Sequence, residues 1–494
     1  MTTQVQSLFT DEEISLNEIG AGEGYSALIL SSSMLTDRML LYTGLLTELS
    51  GKLAVKIWAG SARNPESNGV WNQAAAKVEP LPDSIHYREF PHNLLRRFND
   101  FVWDFQQRPP SRLSIMRHVR EKRLPVHLKA LRIPARAAAL CKAGQLVEDR
   151  LERLLVTCQR SPVALEKMRA ERPSLLITTG PQRFEEPAVA AIARSLRIPR
   201  LAFITSWDNL STKQRLVFKY DGYLLWSERM RRELHDFYPS TRGVPTYVVG
   251  APQFDVFFQS RFFQTREAFC DSQRLRSDLP IIVYALGSPN FVKEGAAVRG
   301  LAERIAAGEI GDVQFLVRPH PLHDNGLEAG WLERFKPRVR VQQTGQKGTA
   351  VSSRFQDEQQ VMEWVNTFRH ADVVVTLSST AAVDASIFDR PVVNLDFDPE
   401  PGQPNQALIK DVNHLWTHFK PIAKSGGVWM VNDLNETMRA IKAYLANPSL
   451  HRKERHWIAQ YVCEFLDGNC GLRMARAILD FAHYSLRTDR KQPS

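Results

Sequence analysis

The stretch TLSSTAAVDAS, beginning at Thr376, closes an apolar run with three small hydroxyl residues and sets an acid one helical turn behind them. At the start of a helix, Ser378, Ser379 and Thr380 can cap free amides, and those amides with the positive end of the helix dipole attract a phosphate. Small side chains let that phosphate approach. Asp384 shares the helix face of Thr380, four residues earlier, where a carboxylate can accept hydrogen bonds from a ribose diol. A plain N-cap followed by a favourable first-turn acid accounts for the same residues.

Other strand-end stretches carry related chemistry. In VRPHPLHD, Arg318, His320 and His323 follow an apolar run, and prolines on both sides of His320 stiffen the loop. A cation and an imidazole held there suit a pyrophosphate. In YALGSPNF, Gly287 and Ser288 end a run where backbone amides can reach a phosphate. RLAFITSWDNLSTK offers Trp207 as a flat face for a sugar or base and Asp208 as a base for an acceptor hydroxyl, with Asn209 and Lys213 beside them. SSSMLTDR adds Asp37 as a second candidate base, next to Arg38. Turns, core packing and helix capping are the competing explanations for each.

These residues need strands to deliver them. Short β-branched runs recur between segments of helical period: SALILSSS, KLAVKIWA, SLLITTG, RLAFITS, GYLLWS and TYVVG, then PIIVYALG, VQFLVRP, VRVQQ, DVVVTLS, PVVNLD and VWMVN. Such alternation predicts parallel sheets built from βαβ units. A polar, irregular stretch at residues 254–279 divides the series, so the expected fold is α/β, with two doubly wound Rossmann-like domains facing across a cleft. The expected boundaries are 1–253, with a basic helical insertion at about 92–160, then 254–450, then helices at 451–494 packing back on the first domain.

The 494 residues include 64 Lys or Arg against 54 Asp or Glu, a formal charge of +10 that favours anionic partners. Five scattered cysteines fit a reducing compartment, and neither a secretory signal nor a membrane-spanning run is evident. The expected location is cytoplasmic, peripheral on the inner face of the membrane. Residues 96–136 hold eleven Arg or Lys against three acids, interleaved with Phe, Trp, Leu and Ile. Such a segment can lie on an anionic bilayer or cover the sheet as a solvated hairpin. No nucleic-acid-binding signature surrounds it, so no nucleic acid is expected as a partner. No metal-ligand spacing, P-loop or dinucleotide fingerprint is present either.

In order and spacing, IIVYALGS, LVRPHP, HADVVVTLSSTAAVDASIFDRPVV and NLDFD resemble the donor-binding half of GT-B glycosyltransferases. The likeness is nearest to the CDP-glycerol glycerophosphotransferase-like branch and its capsule and surface-polysaccharide relatives. VVGAPQFD and the tail DGNCGLRMARAI extend it. The resemblance implies a metal-independent, cofactor-free glycosyltransferase. It would move a sugar from a nucleotide-sugar in the C-terminal domain to a surface-polysaccharide or lipid-linked acceptor in the N-terminal one. Ser379 and Thr380 would then hold the donor phosphates, with Asp384 on the ribose or neighbouring hydroxyls and Arg318 and His320 on the leaving diphosphate. It carries over no catalytic base, so Asp208 and then Asp37 stand on the residues alone. TLSS and YALGSPNF depart from the glycerophosphate pattern and favour a sugar nucleotide. The alternatives are a polyol-phosphate transferase, a sugar-nucleotide 2-epimerase and a non-catalytic nucleotide- or glycan-binding scaffold.

Overall fold

The computed structural model describes residues 25–83, 90–121, 124–140, 150–155, 161–182, 185–213, 215–320, 329–344 and 353–489. His323 lies outside the described residues. The first sheet comprises β1 (Ser26–Ser31), β2 (Ala54–Ala59), β3 (Lys77–Pro80), β4 (Leu175–Thr178), β5 (Arg200–Phe203), β6 (Gly222–Leu225) and β7 (Thr246–Val248). Its order is β3-β2-β1-β4-β5-β6-β7. The second comprises β8 (Ile281–Ala285), β9 (Gln314–Arg318), β10 (Val339–Val341), β11 (Val373–Thr376), β12 (Val392–Leu395) and β13 (Trp429–Val431), in the order β10-β9-β8-β11-β12-β13. Every pairing is parallel. The fold is two doubly wound α/β lobes, as the alternating runs predict.

Every run read as a strand is one, because central parallel strands are buried on both faces and must be apolar throughout. The strand that escapes this rule is β3, KVEP, which pairs only with β2 at the sheet edge. Its Glu79 is held by Lys56 at 2.7 Å and Lys167 at 2.9 Å rather than by apolar packing. In each sheet the strand order reverses once, between β1 and β4 and between β8 and β11. Such switch points leave a crevice beyond the strands' carboxyl ends.

The stretch expected to be a polar linker begins as a buried hub. Phe254 and Phe257 are buried in the turn Pro252–Phe258. Phe257 lies 4.4 Å from Trp364 and 4.8 Å from Phe388 of the second lobe, and Phe254 lies 6.0 Å from Trp226, just past β6. Between these rings, the Asp255 carboxylate accepts from Cys470 N at 3.0 Å and Gly471 N at 2.7 Å, capping the last helix, Cys470–Asp489. That helix lies against the first lobe, where Tyr25 Oη donates to Ala482 O and Tyr247 Oη donates to Asp480 Oδ2 at 2.7 Å. The preceding helix, Arg452–Cys463, packs instead on the second lobe, its Arg455 donating to Asp389 at 2.8 Å.

The basic segment forms helices His92–Gln107, Pro110–Ile115, Val126–Ala130 and Arg132–Leu140 around a small core of Phe101, Val102, Met116 and Ala135. Several of its cations are internal. Arg112 is fully buried against Asp104 at 3.2 Å, and buried Arg96 donates to Gln182 O at 2.8 Å. The segment also reaches the second lobe, where Ser114 and His118 contact Asp411 at 2.8 and 3.0 Å.

Asp255→Ala leaves two buried amides without an acceptor. It is expected to cost roughly 2–4 kcal/mol, read as a lower denaturation midpoint. Faster hydrogen exchange confined first to residues 470–489 is the accompanying signature.

Candidate functional site

A cavity of about 360 Å³ opens where the carboxyl ends of the two sheets meet, and both lobes line it. Arg38 enters from the helix Met34–Tyr42, which follows β1 and is capped by Ser33. Its guanidinium lies 3.7 Å from the centre of the Trp364 ring and donates to Gln356 and Gln253 at 3.1 and 3.3 Å. Arg318, the last residue of β9, donates to Gln342 at 2.9 Å. Asp384 is the carboxylate near both. Its Oδ2 accepts from Trp364 Nε1 at 3.4 Å, while its buried Oδ1 has no hydrogen-bond partner among the described residues.

Burial dominates this group. It lifts the Asp384 carboxyl to about 7, against Arg38, the Trp364 hydrogen bond and Arg318. It also lowers Arg38 to about 9, with Asp384 opposing and Arg318 reinforcing, and lowers Arg318 to about 10 against Asp384 and Glu363. Two buried cations thus share one carboxylate at the edge of losing its charge, and among the described residues only Arg318 has a second, Glu363, whose own carboxyl burial raises. An anion entering from the cavity would balance them.

The hydroxyl corner is tied into the protein more tightly than its sequence implied. Ser378 has φ +50°, its amide donates to Asn394 Oδ1 at 2.8 Å and its hydroxyl to Asn413 Oδ1 at 2.6 Å. Ser379 shares a hydrogen bond with Thr376 at 2.7 Å and accepts from Ala381 N at 3.2 Å, so it is the residue that caps the helix Ala381–Ile387. Thr380 Oγ1 accepts from Trp207 Nε1 at 3.3 Å, across the cleft. All three line the cavity, as do Ser288, His320 and Lys213.

Four expectations need correction. The Gly287 amide is not open to a phosphate, because Glu294 folds back and accepts from it at 2.7 Å while also accepting from Tyr284 Oη at 2.8 Å. Trp207 is not an open platform: it is buried, its nitrogen bridges to Thr380, and its ring meets His418 edge-on at 4.8 Å. Asp37 is absent from the cavity wall and accepts from Ser31 beneath β1; burial raises it to about 7, with Ser31 and Ser61 lowering it and Glu186 raising it. Asn209 is absent from the wall as well.

Asp208 does line the cavity, accepting from Ser206 at 2.6 Å and Thr212 at 2.8 Å. Burial works to raise its carboxyl, yet Lys213, His418 and those hydroxyls outweigh it and hold it at about 2. A carboxylate that acidic is a feeble base. Beside it, His418 is buried with no hydrogen-bond partner for Nδ1 among the described residues, and burial lowers the imidazole to about 4 against the pull of Asp208. His418, Glu294, Trp364, Gln253 and Gln356 went unmarked in the sequence because none follows a strand directly.

No family model and no curated protein matches the chain. Solved structures do. A UDP-GlcNAc 2-epimerase from Neisseria meningitidis, bound to UDP-GlcNAc, superimposes with a TM-score of 0.53 at 11% identity, covering 92% of this chain and 100% of that one. Another UDP-N-acetylglucosamine 2-epimerase gives 0.54 at 11% identity over 96% and 99%. The S. aureus MnaA–UDP structure gives 0.51 at 10% identity over 95% and 99%. The chain has the GT-B fold. At these identities the likeness extends to the fold alone.

Burial holds Glu294 at about 7, against 4.5 for a free side chain, so the folded chain binds an extra proton between those values. Its contribution to stability is therefore complete below pH 4.5 and lost as pH rises through 7. Glu294→Gln, which keeps an acceptor for Gly287, should match the parent at pH 5. At pH 8 it should be more stable by on the order of 3 kcal/mol, measured by urea unfolding.

Proposed function

We propose that this chain is a nucleotide-sugar enzyme whose cavity holds the donor diphosphate between Arg38 and Arg318, and that it transfers the sugar to an acceptor hydroxyl. The observation that carries the proposal is the pair of buried guanidiniums, one from each lobe, that share the carboxylate of Asp384 at the cavity wall. The shared fold with proteins solved bound to UDP-GlcNAc and UDP supports a nucleotide-sugar as the ligand.

In this reading the small side chains of Ser378, Ser379 and Thr380 leave room for the phosphates, and His320 adds a donor from the facing loop. Phe291, Val412 and Trp416 supply an apolar wall for the base or sugar. The acceptor oxygen bonds to the anomeric carbon as the bond from that carbon to the diphosphate breaks, and the diphosphate leaves with the electron pair. Arg38 and Arg318 stabilise the charge that develops on it, a task that otherwise falls to a metal ion, so none is required. The hydroxyl proton becomes strongly acidic only as the new bond forms, so a weak base suffices; His418 accepts it, and Asp208, ionised beside it, stabilises the imidazolium. Lys213 helps orient the acceptor.

Transfer is preferred because the helical insertion reaches the cleft rim through Ser111, Ser114 and His118, next to the segment carrying His418. A reaction confined to one small sugar has no use for such an addition, whereas a surface-polysaccharide or lipid-linked acceptor does. The second reading, a sugar-nucleotide 2-epimerase, is favoured by three carboxyls and two imidazoles lining one cavity: Asp208, Glu294, Asp384, His320 and His418. Incubation of a nucleotide sugar without acceptor separates them. An epimerase converts it, whereas a transferase leaves it intact or hydrolyses it slowly.

A thermal-shift panel of UDP-, GDP-, CMP- and CDP-linked donors identifies the cognate nucleotide, because only bound ligand raises the melting temperature. Calorimetry should then show at least about thirtyfold weaker donor binding for Arg38→Ala and Arg318→Ala. Entry of the diphosphate raises Asp384 further, so the complex takes up a proton. Donor affinity is expected to fall from pH 6 to pH 8.5, with Asp384→Asn removing most of that fall. Unchanged affinity in the arginine variants would falsify the placement.

A further inference from the structure

We propose that the outward face of helices Val126–Ala130 and Arg132–Leu140 is a docking surface for an anionic lipid bilayer. Val126, Ile133 and Leu140 are 80%, 78% and 79% exposed. Their spacing of seven places them on one line along the helical path, two turns apart. Single exposed apolar side chains are ordinary on a protein surface, but three on one line are not scattered. Nor are they surplus from the core beneath: Leu128 and Ala135 are buried, and Leu131 and Ala138 pack inward on Phe101, Val102 and Met116. These helices therefore present apolar surface on two sides, one of them uncovered.

The charges on the segment identify what covers it. Each of the three acids within residues 96–136 is engaged: Asp100 with Arg97 at 3.3 Å, Asp104 with Arg112 at 3.2 Å, and Glu121 with Arg132 at 2.5 Å. Arg108, Arg117, Lys129 and Arg136 form no ion pair among the described residues. Lys129 and Arg136 stand three residues after Val126 and Ile133, interleaved with the apolar line. Long cationic side chains so placed extend past inserted apolar groups to reach phosphate headgroups. Among the described residues no helix is long and apolar enough to cross a membrane, so the face rests on the bilayer rather than anchoring through it.

The purpose of docking rests on the transferase reading, since it would bring a lipid-linked acceptor to the cleft rim. The docking itself is measured without donor or acceptor, so the two proposals fail separately. The full chain is co-sedimented with vesicles of phosphatidylcholine alone or mixed with phosphatidylglycerol, at low and high salt. Binding is expected to the mixed vesicles, and roughly tenfold or more weaker to the neutral ones or at high salt. Ile133→Asp with Leu140→Asp should abolish it, and Lys129→Glu with Arg136→Glu should remove its salt-sensitive part. All these side chains lie on the helical insertion, and donor affinity of each variant should match the parent, showing the fold intact. Equal binding to both vesicles, no binding, or variants that bind like the parent overturns the proposal. So does a dimer in light scattering that Ile133→Asp dissociates, which would make the face a contact between copies of this chain.

Discussion

The cleft is organised around an imbalance of charge. Two guanidiniums taken out of water carry a large solvation cost, and two carboxyls that burial pushes toward neutrality, Asp384 beside both and Glu363 beside Arg318 alone, offset it only in part. Neighbouring amides share the load: Gln253 and Gln356 receive Arg38, and Gln342 receives Arg318. Neutral acceptors satisfy the donors without cancelling the charge on either guanidinium. Each cation comes from a different lobe, so an anion held by both would draw the lobes together.

The lobes are joined at several levels. The aromatic hub of Phe254, Phe257 and Trp364 sits below the cavity, and Trp364 also supports Arg38 and hydrogen-bonds Asp384. Above it, Trp207 reaches Thr380, and the helical insertion reaches Asp411 and Thr417. Hydrogen bonds and ring contacts of this kind are directional and individually weak, so the junction can loosen at its rim while the buried hub holds.

Most of the fold was legible because parallel strands are buried on both faces and announce themselves as apolar runs, with β3 escaping as an ion-paired edge. The same geometry explains why Arg318, Thr380 and Asp384, picked out at strand ends, line the cavity: a doubly wound sheet opens its crevice at the strands' carboxyl ends. What remained hidden was pairing at a distance. Nothing local tells Gly287 that Glu294 will take its amide, or Trp207 that its nitrogen belongs to Thr380. Arg38 could be placed near the crevice with Asp37 but given no role, since the ring it lies on is in the other lobe. Counting charges over residues 96–136 likewise could not separate Arg112, sealed against Asp104, from Arg136, left to solvent.

The last helix begins at the hub and ends on the first lobe, its Phe481 seated against Gly222 at the start of β6 and its Leu472 against Gly44. The first lobe's sheet is complete by Val248, yet part of its apolar floor is supplied by residues more than two hundred positions later. On the ribosome that surface emerges bare and stays so while the whole second lobe is made. A nascent product cut short before residue 470 would leave even its oldest domain without that cover.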